Sequence, residues 1–406
     1  MSNSLEEIAS VYYGRSPNAV RVDESVFCIY GTGGQVGFSR EPLFAVPIVV
    51  VARKGTLSNP TYSVNPCWVI DTAYAVVSKK NFDTKWLYYN LSNYDLESLN
   101  EATGVPSISR DYLYRIRFYS PPLPQQRKIA KILTTVDNLI EKTEQLIAKY
   151  QSIKQGMMHD LFTRGVDSNG KLRPPQSEAP ELYKQSELGW IPKEWEVERL
   201  ENHLDRIDQG WSPDCDSEPA TAGEWGVLKT TAVVWNGFND LENKKLPKHL
   251  KPEPKYEVKV NDVLMTRGGP NSRVGVVVFV NETRSRLMLS DKIYRISLKQ
   301  SVLPNYIALA LSSKSTQIHL STLKTGLAES QTNISQKIVK QLLVSIPNLK
   351  EQLIICKHIR KTEDFLNSNL RTLLEWKTIK TALMQDLLTG KVQITPDEID
   401  KELAHA

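Results

Sequence analysis

The chain has 406 residues, 40% hydrophobic and 24% charged, proportions ordinary for a globular protein and sufficient for two or more domains with cores of their own. Its 51 basic and 46 acidic residues leave a formal charge of +5, which permits a polyanionic partner without demanding one. No apolar run approaches the roughly 20 residues of a membrane span, and the start Met1-Ser2-Asn3-Ser4 lacks the character of a signal peptide. Four scattered cysteines (Cys28, Cys67, Cys215, Cys356) without a Cys-x-x-Cys pair fit reduced, inert thiols in a cytoplasmic protein.

In chain order, residues 1–120 read as a first globular head of mixed α/β character, with strand-like runs at Phe27 to Tyr30, Ala45 to Ala52 and Ala73 to Val77. Residues 121–165 read as one long helix. Ile129, Val136, Thr143, Tyr150 and Met157 recur at seven-residue intervals, as do Ile132, Leu139, Leu146 and Ile153, giving the wide apolar stripe of a helix packed on a partner. Residues 166–194 form a loop-like linker punctuated by Ser168-Asn169-Gly170, Pro174-Pro175 and Pro180. Residues 195–346 make a second mixed head, with strand-like Val274 to Val280 and Ile293 to Leu298 and helix-like Tyr306 to Leu311. Residues 347–390 repeat the long helix, its stripe carried by Ile355, Ile359, Leu366, Leu373, Trp376, Leu383 and Leu387, and 391–406 is a tail. Gly165 and Gly390 stand where the helices would stop. At about 1.5 Å per residue each helix would be about 60 Å long. Two equal stripes in one chain are most economically buried on each other. The expected fold is therefore α+β: two mixed heads separated by two long helices in an antiparallel coiled coil.

The two helices are copies. Pro121-Pro122-Leu123-Pro124-Gln125-Gln126 returns 226 positions later as Pro347-Asn348-Leu349-Lys350-Glu351-Gln352. In the same register come Ile129 over Ile355, Lys131 over Lys357, Ile153-Lys154 over Ile379-Lys380 and Asp160-Leu161 over Asp386-Leu387. So long a period is no solenoid repeat. It describes a duplicated unit of head plus helix.

Catalytic patterns are scarce. There is no phosphate-binding Walker loop, no His-Glu-x-x-His and no nucleophile elbow. Gly31-Thr32-Gly33-Gly34-Gln35-Val36-Gly37 fails the dinucleotide spacing and runs into strand-like residues. Glu257-Val258-Lys259, with Asp240 upstream, has the form of a nuclease triplet, but such triplets are frequent by chance in a lysine-rich chain. The six histidines show no metal-ligand spacing. Binding candidates instead sit in turns of glycine, small polar residues and a cation. In the first head these are Gly33, Gly34 and Gln35, then Arg53 and Lys54, then Thr103 and Gly104. In the second they are Lys229 and Thr230, then Asn271, Ser272 and Arg273 in the loop opened by Arg267, then Thr325, Gln331 and Asn333. Glycine lets backbone amides approach a phosphate, cations neutralise it or read guanine, and glutamine and asparagine read adenine. Each loop alone is more often an ordinary β-turn than a contact. Their recurrence in both heads favours a shared surface. Trp211 and Trp235 are expected in the core or anchoring loops.

These residues resemble the specificity subunits of type I restriction-modification enzymes over essentially the whole chain. The resemblance is carried by the paired Pro-x-Leu-x-x-Gln helix openings and by the helix exits Met157 to Thr163 and Leu383 to Gly390. It is carried too by Leu188-Gly189-Trp190-Ile191-Pro192-Lys193-Glu194-Trp195 ahead of the second head, and by Gly14-x-Ser16-Pro17 and Gly210-x-Ser212-Pro213 opening both heads. It implies a non-catalytic subunit whose two target-recognition domains each read one half of a split, asymmetric double-stranded DNA sequence. The helices would set the spacing and dock two modification (methyltransferase) subunits. S-adenosylmethionine, ATP and Mg would belong to those and to restriction subunits, with no cofactor or metal on this chain and no membrane contact. The rival readings are a coiled-coil adaptor whose heads bind protein and a self-sufficient nuclease using Asp240, Glu257 and Lys259.

Overall fold

The computed structural model describes residues 2–215, 217–324 and 332–395. The chain divides into two compact units, Met1–Ile147 with Asn369–Ala406, and Ala148–Ser368. In the first unit the central strand is Ile48–Ala52, a run of β-branched residues and alanine that is buried at every position. Its alternate side chains serve two cores. Val49 and Val51 pack with Trp86, Leu87 and Leu91 of the helix Thr84–Asn93, whereas Ile48 and Val50 pack with Cys67, Val69 and Ala75. That double burial is why the run lacks the polar alternation of a one-sided strand. The sheet is antiparallel, in the order Ala9–Tyr13, Ala73–Ser78, Ile48–Ala52, Thr61–Ser63. A second four-stranded sheet holds Phe27–Gly31 between the antiparallel Gly34–Ser39, itself paired with Arg21–Val22, and the parallel Cys67–Val69.

The second unit repeats this plan. Leu204–Gln209, Ile293–Leu298, Val263–Thr266 and Val277–Phe279 form a sheet of the same order and sense. Gly226–Leu228 lies between the antiparallel Asn243–Lys245 and the parallel Leu287–Met288. The helix Pro304–Ser312 takes the place of Thr84–Asn93. The duplication extends to single atoms: Tyr74 donates its hydroxyl to the Ile108 carbonyl and Tyr294 to that of Ile334, both at 3.1 Å. The opening glycines are explained by close approach. A Cβ on Gly14 would lie 2.0 Å from the Ile70 carbonyl oxygen, and one on Gly210 2.0 Å from that of Leu289.

Both long helices form as expected, Leu123–Thr163 and Leu349–Leu388, and each is followed by a glycine in the left-handed region, Gly165 at φ 62° and Gly390 at φ 75°. They run antiparallel within each unit. In the first, Asp137 pairs with Lys380 (2.7 Å) and Glu144 with Lys377 (2.8 Å). In the second, Lys154 pairs with Glu363 (2.8 Å), the Tyr150 and Phe365 rings lie 4.1 Å apart, and Thr362 reaches the Met157 sulfur at 3.4 Å. Of the stripe, Ile129, Val136, Ile355, Ile359 and Leu366 are buried, while Leu139, Leu146, Leu373, Trp376 and Leu383 are half-buried. Ile153 is 39% exposed because Tyr150 and Met157 occupy the seam beside it, as happens when a helix of 3.6 residues per turn drifts against a seven-residue repeat.

The segment between the first long helix and the second head is built into the second unit. It carries a hairpin of Tyr183–Ser186 on Gly189–Pro192, and Arg173 donates to Glu351 at 2.5 and 3.1 Å and to Glu194 at 3.2 Å. Glu351, only 5% exposed, also accepts from the Val166 amide at 2.8 Å. A Cβ on Gly165 would meet Glu351, Arg173 and Trp195 within 2.6 Å, so only glycine fits that corner.

At each helix start a buried glutamine uses both ends of its amide. Gln126 donates to the Pro121 carbonyl (2.8 Å) and accepts from the Asp83 amide (2.9 Å), and Gln352 does the same with Pro347 (2.8 Å) and Leu303 (2.9 Å). Replacing either by leucine strands two backbone groups, at about 1–3 kcal/mol each. Gln126→Leu and Gln352→Leu are each expected to lower stability by about 2–6 kcal/mol in urea unfolding. A loss within about 0.5 kcal/mol, the range of an ordinary surface substitution, would show that the amides are not the joint they form here.

Candidate nucleic-acid interface

In the first unit the central strand ends by delivering Arg53. Its amide donates to the Thr72 carbonyl (2.9 Å), its Nη1 donates to the Asp71 carbonyl (3.3 Å), and its guanidinium lies over the Tyr13 ring at 5.2 Å. Arg110 lies over the same ring at 5.4 Å. Lys54, exposed, forms an antiparallel bridge with Ser107, and the Gly55 amide donates to the Pro106 carbonyl at 2.8 Å. A Cβ on Gly55 would sit 3.6 Å from Thr32 Oγ1, in the turn that carries Gly33 and Gly34. Three of the expected loops therefore meet: the glycine turn, Arg53-Lys54 and the loop of Thr103 and Gly104. That last loop is closed by Asn100 Oδ1, which accepts from the Ala102 (3.0 Å) and Ser107 (2.9 Å) amides, and its tip residues Thr103 and Gly104 are exposed. Gly33 and Gln35 are exposed as well, and Gly34 has φ +111°. Beneath them burial, followed by the neighbouring Tyr13, pushes the Tyr74 phenol up to about 12, against the opposing pull of Arg53 and Arg110.

In the second unit the matching arginine is Arg267, at the end of Val263–Thr266. Its amide donates to the Lys292 carbonyl (2.8 Å), its Nη1 to the Asp291 carbonyl (3.2 Å), and its guanidinium lies over Tyr294 at 5.3 Å. Ile334 donates to its carbonyl as Ile108 does to that of Arg53, at 2.9 and 3.0 Å. Its Nε is buried without a hydrogen-bond partner. By sequence alone Arg267 opens this loop, and the candidates within it are Asn271, Ser272 and Arg273. The signal that identifies Arg267 is the shared strand-Arg-(Lys/Gly)-Gly order, Arg53-Lys54-Gly55 and Arg267-Gly268-Gly269.

Arg273 lies one turn on, in the 3-10 turn Asn271–Arg273, half-buried, with its carbonyl accepting from Thr266 Oγ1 at 2.5 Å and Asn271 and Ser272 exposed beside it. Asn333 is exposed and pairs with Gly268, whose added Cβ would lie 2.4 Å from Asn333 Oδ1. Arg267, the 271–273 turn and Asn333 are thus brought together. Thr325 and Gln331 lie outside the described residues.

Lys229 and Thr230 occupy another turn. They open the excursion 229–242 between Gly226–Leu228 and Asn243–Lys245, the topological position of the glycine turn in the first head. Lys229 Nζ lies 3.8 Å from Glu242. Trp211 does anchor a small cluster with Val227, Leu246 and Met288. Trp235 does not: it is 49% exposed, because it falls in the turn of the short hairpin Val233–Val234 on Gly237–Phe238. The residues of the nuclease reading are engaged in holding a loop. Asp240 accepts from the Arg284 amide (3.1 Å), Glu257 from the Arg286 amide (2.6 Å), and the Lys259 amide donates to Asp262 (2.9 Å). Among the described residues no group of three His, Cys, Asp or Glu could hold a metal.

Residues 4–151 and 219–375 match the sequence model of the type I restriction modification DNA specificity domain. The chain is 38% identical over 229 residues to the EcoEI type I restriction enzyme specificity subunit of Escherichia coli, a match covering 56% of this chain and 35% of that protein. It is 25% identical over 341 residues to the MjaVIII specificity subunit of Methanocaldococcus jannaschii, covering 80% of this chain and 75% of that one. Its fold resembles the crystal structure of a type I restriction-modification S subunit from M. genitalium, with a TM-score of 0.66 and 13% identity over 97% of this chain and 96% of that one.

The buried phenol beneath the first cluster gives a test. A raised folded pKa means that Tyr74 contributes its stability fully below its ordinary value near 10 and loses it as pH rises towards about 12. Tyr74→Phe is expected to cost about 1 kcal/mol at neutral pH through the lost hydrogen bond to Ile108. It should then lose less stability than the wild type between pH 10 and 12 in denaturant titrations. Parallel losses over that range would mean that the phenol is not held as described.

Proposed function

We propose, from a chain that belongs to the type I restriction modification DNA specificity family, that this protein is the DNA-reading subunit of a restriction-modification complex, each head reading one half of a bipartite asymmetric target. The observation that carries this reading is the recurrence, in both heads, of one arginine at the end of the central strand. Arg53 and Arg267 are held by the same two carbonyl contacts beside an aromatic ring, among exposed glycine and small polar loops. A strand end fixes where such a side chain starts, and small-residue turns leave it room to enter a groove. Lys54, Gly33, Gly34, Gln35, Thr103 and Gly104 would surround Arg53, and Asn271, Ser272, Arg273 and Asn333 would surround Arg267, with Lys229 and Thr230 on the neighbouring excursion and Thr325 and Gln331 completing the set. The net charge of +5 supports a polyanionic ligand.

In this reading the chain is non-catalytic and acts in the cytoplasm. Two modification subunits dock on it and supply S-adenosylmethionine-dependent DNA methylation. Restriction subunits supply the ATP- and Mg-dependent steps. The paired helices set the gap between half-sites and offer the docking surface. No helix among the described residues is long and apolar enough to cross a membrane. The coiled-coil adaptor remains the reading that a failure to bind DNA would favour.

Methylome sequencing of a host carrying the chain with its methyltransferase defines the target, and binding of the assembled complex to single-base variants of it assigns the residues. Arg273→Ala is expected to relax one position of the second half-site by about 1–3 kcal/mol, and Lys54→Ala to weaken all sequences alike with a shallower salt slope. An unchanged preference profile for Arg273→Ala, with binding intact, removes Arg273 from the readout and leaves Arg267 as its candidate. Inserting four residues after Tyr150 lengthens the helix by about 6 Å and turns it by about 40°. The folded variant should methylate sites with a gap changed by one or two base pairs. Methylation at the original gap would sink the spacing role.

A further inference from the structure

One turn of the shared frame is built differently in the two heads. In the first head the strands Phe27–Gly31 and Gly34–Ser39 are joined directly by the turn at Thr32-Gly33. In the second the matching strands Gly226–Leu228 and Asn243–Lys245 are joined by the excursion 229–242, which folds into a hairpin of its own. The hairpin is firmly seated. Ala232 and Val233 are buried with Leu228, Leu264, Val276 and Val278, and Phe238 packs against them. The Asn239 amide donates to the Ala232 carbonyl at 2.9 Å, and the Lys229 amide to the Glu242 carbonyl at 3.0 Å. Thr231 also donates to Glu242, and Asp240 accepts from the Arg284 amide at 3.1 Å.

On this braced support the turn residues belong to none of the core clusters. Trp235 is 49% exposed, Asn236 is exposed, and nothing lies within 4 Å of a Cβ built on Gly237. Leu241, at the far end of the excursion, is 73% exposed. A tryptophan in water sacrifices much of the largest hydrophobic gain any side chain offers, and a rigid support minimises the entropy lost when it is buried later. The strand leaving the excursion brings a basic stretch, with Lys244, Lys248 and Lys251 exposed.

We infer that Trp235 is a wedge that enters the DNA of the second half-site, its indole lodging at one base step while the cations that follow hold the phosphates. This rests on the DNA-reading proposal and deepens it. Apolar side chains inserted between base steps unstack them and favour sequences whose steps part easily. Trp235 would thus contribute specificity in the second head without reading a base edge, by a means the glycine turn of the first head does not possess.

The test uses the complex assembled with its methyltransferase and a target duplex carrying 2-aminopurine at successive positions of the second half-site. The wild type should brighten the probe at one step. Trp235→Ala should abolish that signal and weaken binding at least tenfold, leave the base preferences of the first half-site unchanged, and keep the wild-type thermal midpoint, since the side chain is outside the cores. Trp235→Phe should recover part of both affinity and signal. Affinity and fluorescence within twofold of wild type for Trp235→Ala would overturn the wedge while leaving the DNA reading standing. Loss of methyltransferase assembly by Trp235→Ala with the fluorescence pattern intact would overturn it too, by placing the indole on a protein. A wild-type complex that binds no DNA would instead remove the parent reading, and the wedge with it.

Discussion

The joint on which each head depends is a single buried amide. Gln126 and Gln352, exposed by 1% and 0%, each join three pieces of chain: the proline-led turn, the start of a head helix or the residue before it, and the long helix itself. A carboxylate could accept but not donate, and a hydrocarbon could do neither, so the geometry calls for glutamine. Because both bonds are buried, where water cannot replace them, the long helix leaves its own head at one angle. The loops at the strand ends are fixed to the same frame through Tyr74 and Tyr294, which tie the central sheets to Ile108 and Ile334.

On that common frame the two heads keep one element of the candidate interface and vary others. The strand-end arginine is retained with its carbonyl contacts in both. Around it the side chains change: Lys54 gives way to Gly268, Ser107 to Asn333, and a ring from the sheet's edge strand, Tyr13, to the Tyr294 ring of the duplicated hydrogen bond. A core built from β-branched strands tolerates this because the loop residues contribute little to it. The division between a rigid sheet and replaceable loop tips is the one expected of a recognition module.

The parts of this architecture written in period and punctuation were legible in the sequence. The seven-residue series located both helices, and Gly165 and Gly390 did mark their ends because a left-handed residue there needs no Cβ. The paired glutamines were visible as a repeated opening, although their bonding was not. What escaped was register. The spacing between equivalent residues is 226 at the helices, 220 between Tyr74 and Tyr294, and 214 between Arg53 and Arg267, so an alignment at one offset cannot place the arginines opposite each other. Arg273 drew notice from its turn chemistry, while the residue sharing the bonding of Arg53 was Arg267. Residue type places Trp235 in the core or anchoring a loop, and only the pairing of Val233–Val234 with Gly237–Phe238 reveals that it occupies an exposed turn. Ile153 followed the stripe in sequence, yet Tyr150 and Met157 fill the seam around it.

Arg173, Glu194 and Glu351 come from three separate stretches of chain and converge on one site, with Glu351 buried, Arg173 half-buried and Glu194 exposed at its rim. Such a group has to be inherited whole. A genetic exchange that takes Arg173 from one parent and Glu351 from another risks leaving the buried Glu351 carboxylate without its counter-ion, a destabilising change that no change at a loop tip can offset. Exchanges of chain segments are therefore best tolerated where the two sides of this cluster stay together, so a salt bridge outside the candidate loops constrains which recombined chains keep the second unit stable.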